Sequence, residues 1–271
     1  MPPLVLTKHH GLANDFLVLL DPEGSVEVTA DVARKVLDRR VGIGADGLLH
    51  VRKAGDGADL DLTVWNADGS VAETSGNGLR CAGQAAVDSG LIGADAVVRT
   101  GGALREMTIH EESAPGERFI GVTMGIPTLE PAAVEIPGSV VGRAAAVNTG
   151  NPHLVVEVDS LEHLDDAVMV ELSRTALGEP VNLEAVLAAT KGEGVSMRVW
   201  ERGVGETRAC GSGAVATAAA ARAWGLAGDE VKVTMPGGSA TVSFRPDGEA
   251  VLSGPAKFVG RIEVDPGRIQ L

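Results

Sequence analysis

The chain has 271 residues, and 44% of them are hydrophobic, so it is long enough for two domains that each bury a core. Its formal net charge of −14 would repel phosphate backbones, which argues against nucleic-acid binding. No apolar run approaches the roughly 20 residues that a membrane-spanning helix needs, so no membrane association is expected.

The first residues and the cysteines indicate the compartment. The stretch MPPLVLTKHH lacks the basic and long apolar regions of a signal peptide, so we expect a cytoplasmic protein. Two cysteines, Cys81 and Cys210, are too few for a disulfide framework and form no metal-ligand set. We therefore expect no metal site, and structural or catalytic roles for the cysteines.

Short apolar and alternating runs predict a strand-rich first half. A polar loop at 9–15 places Asn14 at a turn, and Thr29 can cap the first helix. The loop 66–78, NADGSVAETSGNG, leads into the second helix. The predicted elements, in chain order, are strands at 4–7 and 16–20, a helix at 30–40, strands at 48–52 and 60–65, a helix at 79–89, and strands at 97–100, 104–110 and 119–124.

The stretch GIGADG, residues 42–47, matches the glycine spacing of a dinucleotide-binding loop. It follows a predicted helix and leads into a strand, whereas the dinucleotide motif requires the opposite order. We therefore interpret it as a turn-rich connection.

The second half is also strand-rich, and the loop 111–117, EESAPGE, is the candidate boundary before it. Residues 183–190 read as helix by propensity, although a strand is possible. Two strands bracket the loop NTGNPH, residues 148–153. The predicted elements are strands at 140–147 and 154–158, a helix at 161–177, strands at 195–201, a helix at 214–224, and strands at 231–235, 240–244 and 258–264.

Two loops resemble each other. Ser75-Gly76-Asn77-Gly78 precedes one predicted helix as Cys210-Gly211-Ser212-Gly213 precedes another, 135 positions later. This spacing indicates a degenerate internal repeat of two units, each presenting a loop at a helix start. Many antiparallel strands around two isolated helices favour an α+β fold.

Cys210 is the candidate reactive group. A thiol at a helix N-terminus meets unpaired N–H groups that favour the thiolate, which predicts a lowered pKa. A small buried cysteine that caps a packed helix is the alternative interpretation. The charged segment before it, residues 201–208, is unlike a core segment and favours a functional site.

The ordered motifs GxxNDF, RRxGIGADG, NADGS, GNGxR, GNPH, ERGxGET and ACGSG cover nearly the whole chain. With these motifs the sequence resembles diaminopimelate epimerase, a family of cofactor-independent amino-acid epimerases of bacterial lysine synthesis. The resemblance implies two pseudo-symmetric halves, each a curled, mostly antiparallel sheet around a central helix, with the active site in the cleft between them. It implies halves at 1–117, joined by the C-terminal strand 259–271, and at 118–258, a strand at 183–190, and a possible homodimer.

The family's reaction needs one group to remove the α-proton and another to deliver a proton to the opposite face. The resemblance implies an amino-acid substrate, no cofactor, and a substrate carboxylate held at two helix starts. For His153, a hydrogen-bonded loop histidine is an equally good interpretation, and for any single asparagine so is turn stabilisation. The implied catalytic residues are Cys210, Ser75, Glu201 and His153, and the implied substrate-binding residues are Asn14, Asn66, Gly76, Asn77, Asn151, Asn182, Arg202, Gly211 and Ser212.

Ser75 departs from the family, which has its first catalytic cysteine at this position. A serine hydroxyl is a far weaker acid than a thiol, so two-base epimerisation should be impaired. Three interpretations remain open at this stage: a diaminopimelate epimerase with its cysteine replaced, a relative acting on another amino acid as an epimerase, racemase or dehydratase, and a non-catalytic amino-acid-binding protein.

Overall fold

The computed structural model describes residues 4–136, 141–162, 164–188 and 194–265. The chain divides into two compact units, a first unit of Met1–Val122 with Gly254–Leu271 and a second unit of Thr123–Ser253. Within the described ranges, every helix is too short or too polar to cross a membrane.

The described elements are mostly strands. From the N-terminus they are β1 Leu4–Gly11, β2 Asn14–Leu20, α1 Ala30–Leu37, β3 Gly47–Lys53, β4 Leu60–Asn66, β5 Val71–Ala72, α2 Gly76–Asp88, β6 Asp95–Thr100, β7 Ala103–Ala114, β8 Glu117–Gly125, β9 Thr128–Ala132, β10 Val141–Asn148, β11 Pro152–Val158, α3 Asp166–Thr175, β12 Asn182–Ala188, β13 Val195–Glu201, β14 Gly205–Thr207, α4 Gly211–Ala223, β15 Glu230–Met235, β16 Gly238–Phe244 and β17 Ala250–Val264.

The two units share one pairing pattern. In the first, β2 and β3 are parallel and joined through α1, β3 and β4 are antiparallel, and β4 and β6 are parallel and joined through α2. In the second, β11 and β12, β12 and β13, and β13 and β15 repeat these three relations with α3 and α4. The fold is therefore α+β with two pseudo-symmetric halves, as the sequence predicts.

In the first unit the strand pairings form a closed ring. They run from β1 through β2, β3, β4, β6, β7 and β8 to β17, which pairs again with β1. The helix α2 is buried along Gly76–Ala86, so it is the central helix of this unit. Its small residues allow close packing: a Cβ added at Gly83 would lie 2.2 Å from the Met107 Sδ.

In the second unit α4 is the corresponding central helix. Five of its alanines are buried: Ala214, Ala216, Ala218, Ala220 and Ala221. A separate group of buried side chains, which includes Leu154, Leu183 and Trp200, packs with partly buried side chains of α3 such as Val168 and Leu172. The strands β11, β12 and β13 are therefore covered on both faces, which explains their nearly continuous apolar sequences.

Several predicted boundaries differ from the structure. The loop predicted at 9–15 is the end of β1 and the start of β2, joined by Leu12 and Ala13 with φ of 56° and 65°. The two residues with positive φ are neither Gly nor Asn, so the sequence does not reveal how short this connection is. The loop predicted at 111–117 is a hairpin, because β7 continues to Ala114 and β8 begins at Glu117.

The helix-propensity prediction for 183–190 is wrong. The strand implied by the family resemblance is confirmed as β12, Asn182–Ala188. Residues 189 and 190 lie outside the described residues. Here β12 pairs in parallel with β11 and antiparallel with β13. Two ladders of backbone hydrogen bonds outweigh the modest helix preference of Leu, Glu and Ala.

The predicted helices shift at their ends. The first ends at Leu37 rather than residue 40 because Asp38 is extended, with φ −60° and ψ 124°. The third is α3, Asp166–Thr175, because the Asp165 carboxylate caps its N-terminus. Both central helices start three residues earlier than predicted, so Ser75 and Cys210 are their N-caps. The short strands β5, β9 and β14 carry no sequence signal that we detected.

Asp21, just after β2, is a buried carboxylate that fixes the following turn. It accepts hydrogen bonds from the Ser25 N–H (2.8 Å) and the Val26 N–H (3.0 Å), and its Oδ2 lies 3.0 Å from the His50 Nε2. Burial raises the pKa of Asp21, but these hydrogen bonds outweigh it and hold the pKa at about 2, below the usual 3.8. The carboxylate therefore stabilises the fold above about pH 4, and this contribution is lost as the pH falls through about 2.

We expect Asp21→Asn to lower the free energy of unfolding by about 1–2 kcal/mol at pH 7. The difference from the wild type should shrink as the pH falls from about 4 to about 2, because protonation then neutralises the wild-type carboxylate as well. Urea unfolding at several pH values measures this. An equal loss of stability at pH 7 and at pH 2 would contradict the assignment.

Candidate active site

Cys210 is the N-cap of α4. Its backbone is extended, with φ −127° and ψ 119°, and its Sγ accepts a hydrogen bond from the Gly213 N–H at 3.4 Å. The Ser212 Oγ lies 3.4 Å from the same sulfur. The residue is buried, with 6% of its surface exposed. The Gly-Ser-Gly sequence therefore places the thiol against the first turn of a helix.

Ser75 occupies the equivalent place at the start of α2. Its φ of −145° and ψ of 111° match those of Cys210, and its Oγ accepts from the Gly78 N–H at 3.0 Å. Both helices have 13 residues. The repeat predicted from the sequence is thus present in the backbone, and the two N-caps differ in one atom, oxygen against sulfur.

The thiol of Cys210 is not acidic at rest, contrary to the prediction from its helix N-terminus. Burial, followed by the carboxylates of Glu201 and Glu184, raises the pKa of Cys210 well above its ordinary value. The hydrogen bonds from Ser212 and Gly213 offset this only in part. Desolvation and nearby negative charge therefore outweigh the helix N–H groups, and Cys210 is a thiol at neutral pH.

Glu201 is the carboxylate that could exchange a proton with this thiol. Burial raises the pKa of Glu201, while the Thr207 hydroxyl, which donates to its Oε1, and the Cys210 thiol lower it. The nearby Glu184 carboxylate raises it further. A carboxyl group with a raised pKa beside a thiol is suited to take up and return a proton.

Cys81 has a different environment. It lies within α2 and is fully buried, and burial raises its pKa to about 12. A buried thiol with so high a pKa is inert. Cys81 is therefore no candidate for the second proton-transfer group, whose place the family fills with a cysteine at position 75.

His153 is fully buried between two polar partners. Its Nδ1 lies 2.7 Å from the Glu184 Oε1, and its Nε2 lies 3.1 Å from the Asn151 Oδ1. The Thr149 hydroxyl donates to the same Asn151 oxygen at 3.1 Å. His153, predicted to be catalytic, and Asn151, predicted to bind substrate, are therefore hydrogen-bonded to each other.

In the first unit a series of side-chain hydrogen bonds orients two predicted substrate ligands, Asn77 and Asn14. The Arg80 Nη2 donates to the Asn77 Oδ1 at 2.7 Å, and the Asn77 Nδ2 donates to the Asn14 Oδ1 at 3.1 Å. The Asn14 Nδ2 in turn donates to Asp46 at 2.8 Å, and Arg39 bonds to the other Asp46 oxygen. Because Arg80 only donates and Asp46 only accepts, the orientations of both amides are fixed.

The guanidinium of Arg80 is fully buried, and burial lowers its pKa to about 10. It also donates to the Gly76 carbonyl at 3.2 Å, and its Nε is buried without a partner. Gly11 and Gly254 leave room for it: an added Cβ at these positions would lie 3.2–3.4 Å from the guanidinium. The first turn of α2 thus lies next to a buried positive charge.

Two of the remaining predicted ligands, Asn66 and Asn182, lie at strand ends. Asn66 ends β4, where its Nδ2 donates to the Ser70 Oγ at 3.0 Å. Asn182 begins β12, and its Oδ1 accepts a hydrogen bond from the Arg202 N–H at 2.9 Å. Asn182 therefore positions the backbone that carries Arg202. Gly76 and Gly211 are the first residues of their helices.

The residues 42–46 of the GIGADG stretch use their backbone N–H groups inside the fold. Gly42 donates to the Asp38 carbonyl, and Ile43 and Gly44 both donate to the Val36 carbonyl. The Ala45 N–H donates to the Leu37 carbonyl, and the Asp46 N–H donates to the Asp15 carbonyl. A phosphate cradle needs such groups to point at the ligand. The stretch is therefore a connection between α1 and β3, as we predicted from its order.

Three residues of the site region were missed by the sequence analysis: Glu184, Arg80 and Asp46. Glu184 stands in the apolar run NLEAVLA, and Arg80 stands in a helix of small residues. A lone charge in a segment that is otherwise buried is the signal that could have found both. In the described part of the chain, no three His, Cys, Asp or Glu side chains are grouped to hold a metal ion.

Comparison with known proteins gives a consistent result. A family model described as diaminopimelate epimerase matches residues 6–130 and 145–259. The chain is 37% identical to diaminopimelate epimerase of Methanocella arvoryzae, over 98% of this chain and 99% of that protein. It is 38% identical to diaminopimelate epimerase of Corynebacterium glutamicum, over 95% of this chain and 96% of that protein.

Solved structures resemble it at lower identity. A phenazine biosynthesis protein of the PhzF family from Bacillus anthracis has a TM-score of 0.75 at 17% identity, covering 98% of this chain and 100% of that one. A probable proline racemase from Agrobacterium radiobacter has a TM-score of 0.72 at 16% identity, covering 97% and 94%. At these identities the similarity establishes the shared fold.

Proposed function

Since the chain belongs to the diaminopimelate epimerase family and is an amino-acid isomerase, we propose that it interconverts LL- and meso-diaminopimelate by two-base proton transfer, with reduced activity because of Ser75. The observation that carries the proposal is the pair of equivalent N-caps, Ser75 on α2 and Cys210 on α4. Inversion at one carbon needs two proton-transferring groups.

The helix starts support binding of the substrate carboxylate. The first N–H groups of any helix have no partner within the helix, and they favour an anion there. The proposed carboxylate ligands are the backbone N–H groups of Gly76 and Asn77 on α2 and of Gly211 and Ser212 on α4. The same groups would stabilise the charge that develops as the α-proton leaves.

The surroundings of Cys210 support its role as the competent group. The resting thiol can deliver a proton to the α-carbon, and the resulting thiolate can remove one in the reverse direction. Glu201, with its raised pKa, can exchange the proton of Cys210 between turnovers. His153 lies with Glu184 and Asn151 in the same unit, and we propose that it assists this exchange.

The remaining ligands support diaminopimelate as the substrate. This molecule carries a second amino-acid group, and the guanidinium of Arg202 with the amides of Asn66, Asn151 and Asn182 can bind it through charge and hydrogen bonds. Asn14 belongs to the proposed set through its bond to Asn77. The proposal keeps the expectations of no cofactor and a homodimer, which rest on the family resemblance, and the expectation of a cytoplasmic location, which rests on the composition of the first residues.

Deuterium exchange tests the proposal. If Cys210 and Ser75 act on opposite faces of the α-carbon, as proposed, the protein in deuterated solvent should exchange the α-hydrogen of one diaminopimelate stereoisomer far faster than that of the other, as followed by proton NMR. Equal exchange rates for the two stereoisomers would contradict the proposal that Cys210 transfers protons far better than Ser75. Exchange with another amino acid in a panel, proline included, but not with diaminopimelate would identify a relative with a different substrate.

A further inference from the structure

We propose that Glu184 is a positioning residue: its carboxylate fixes the His153 ring with Nδ1–H directed at Glu184, so that Nε2 is the nitrogen presented to Asn151. The significance of this for catalysis rests on the proposed function, whereas the arrangement of protons on the ring does not.

Glu184 is in an unfavourable place for a charge. It lies in the middle of β12, where it is opposite Val155 on β11 and Val199 on β13, and none of its surface is exposed. Its Oε1 bonds to His153, and its Oε2 is buried without a partner. A buried carboxylate with an unsatisfied oxygen lowers stability, so its presence indicates a role other than holding the fold together.

The equivalent place in the first unit shows that the fold does not need this charge. Leu49 is opposite Val18 there as Glu184 is opposite Val155 in the second unit. An added Cβ at Gly78 would lie 3.1 Å from the Leu49 side chain, and one at Gly213 would lie 2.6 Å from the Glu184 Oε1. The same position under a helix start thus holds an apolar side chain in one half and a carboxylate in the other.

The ring position shows the same difference. His153 pairs with Asn182 in the second unit, and Phe16 pairs with Gly47 in the first. The first unit therefore has a Phe and a Leu where the second has a His and a Glu. Only the half that carries Cys210 thus has a polar pair at these two positions, where the other half has an apolar pair.

The chemistry of the two partners determines the tautomer. A carboxylate only accepts hydrogen bonds, so the hydrogen between the Glu184 Oε1 and the His153 Nδ1 belongs to the ring. The Asn151 Oδ1 beside Nε2 also only accepts, and it already receives the Thr149 hydroxyl, so Nε2 donates to it in this arrangement and the ring carries a hydrogen on each nitrogen. A neutral ring that keeps Nδ1–H towards Glu184 needs the Asn151 amide turned, so that its NH2 group donates to Nε2.

Matched substitutions separate this role from simple packing. Glu184→Gln keeps an oxygen acceptor for Nδ1–H, whereas Glu184→Leu copies the side chain of the first unit and removes the acceptor. Long-range ¹H–¹⁵N NMR of the histidine rings, with His153 assigned from a His153→Gln spectrum, reports which nitrogen carries hydrogen. We expect Nδ1–H in the wild type and in Glu184→Gln, and Nε2–H in Glu184→Leu.

Exchange of the α-hydrogen supplies the functional measurement. Glu184→Leu should slow exchange of the reactive stereoisomer by about 10-fold or more, as loss of the correct tautomer does in other enzymes, and Glu184→Gln should largely retain it. The control is Glu157→Leu, which removes a carboxylate of the neighbouring strand that pairs with Arg143 near the surface. This control should leave exchange unchanged.

Two results would overturn the proposal: a wild-type ring protonated on Nε2 alone, or a folded Glu184→Leu protein that keeps Nδ1–H and exchanges at the wild-type rate. The wild-type spectrum decides the matter even if Glu184→Leu does not fold. If the native protein exchanges no substrate, the proposed function fails, and the NMR result still decides the role of Glu184.

Discussion

Replacing Ser75 with cysteine is expected to raise the rate of diaminopimelate epimerisation by about 100-fold or more, the usual contribution of a positioned proton-transfer group. Ser75 already has the backbone angles and the N-cap hydrogen bond of Cys210, so the new sulfur would occupy a prepared position. Almost no serine is alkoxide at neutral pH, whereas a free cysteine is partly thiolate at that pH. The buried Arg80 guanidinium next to the first turn of α2 would favour that thiolate further.

The rate of conversion of LL-diaminopimelate, followed by NMR or by a coupled assay, measures this gain. Ser75→Ala is the control, since it removes the hydroxyl without adding a thiol and should show no gain. The stereoisomer that exchanges slowly in the native protein should also become fast in Ser75→Cys. No gain on diaminopimelate would favour a relative that acts on another amino acid.

Replacing Cys210 with alanine is expected to reduce α-hydrogen exchange of the reactive stereoisomer by about 100-fold or more, because the proposed proton-transfer group is removed. Cys81→Ala is a matched control, since the chain has two cysteines and Cys81 is buried inside α2, away from the N-cap. It should exchange at the wild-type rate. Circular dichroism would establish that both variants are folded.

The comparison of the two cysteine variants also tests the environment of the site. If Cys210→Ala and Cys81→Ala exchanged at the same rate, Cys210 would not be the proton-transfer group. In that case Glu201, with its raised pKa, would be the next candidate for the base. The double variant Cys210→Ala/Glu201→Gln would then lose the remaining exchange.

Local signals in the sequence predicted the start of the first helix and the two related halves, and they marked the two N-cap residues of the candidate site. Thr29 marked the start of the first helix, and the repeated Ser-Gly-Asn-Gly and Cys-Gly-Ser-Gly loops indicated two related halves and marked Ser75 and Cys210. Such signals are readable because capping and tight turns depend on a few adjacent residues. The loop predicted at 9–15 was too long, because the two residues that connect β1 and β2, Leu12 and Ala13, lack the usual signature of a tight turn.

Tertiary structure alone decided the state of the site. Residues 183–188 are helix-forming by propensity but lie in the strand β12, because β11 and β13 pair with it on both sides. Likewise, the helix start at Cys210 predicted an acidic thiol, but burial and two carboxylates raise its pKa. Glu184 lies 31 residues from the His153 it contacts. Desolvation and contacts between distant segments depend on the folded arrangement, so no local sequence pattern could reveal them.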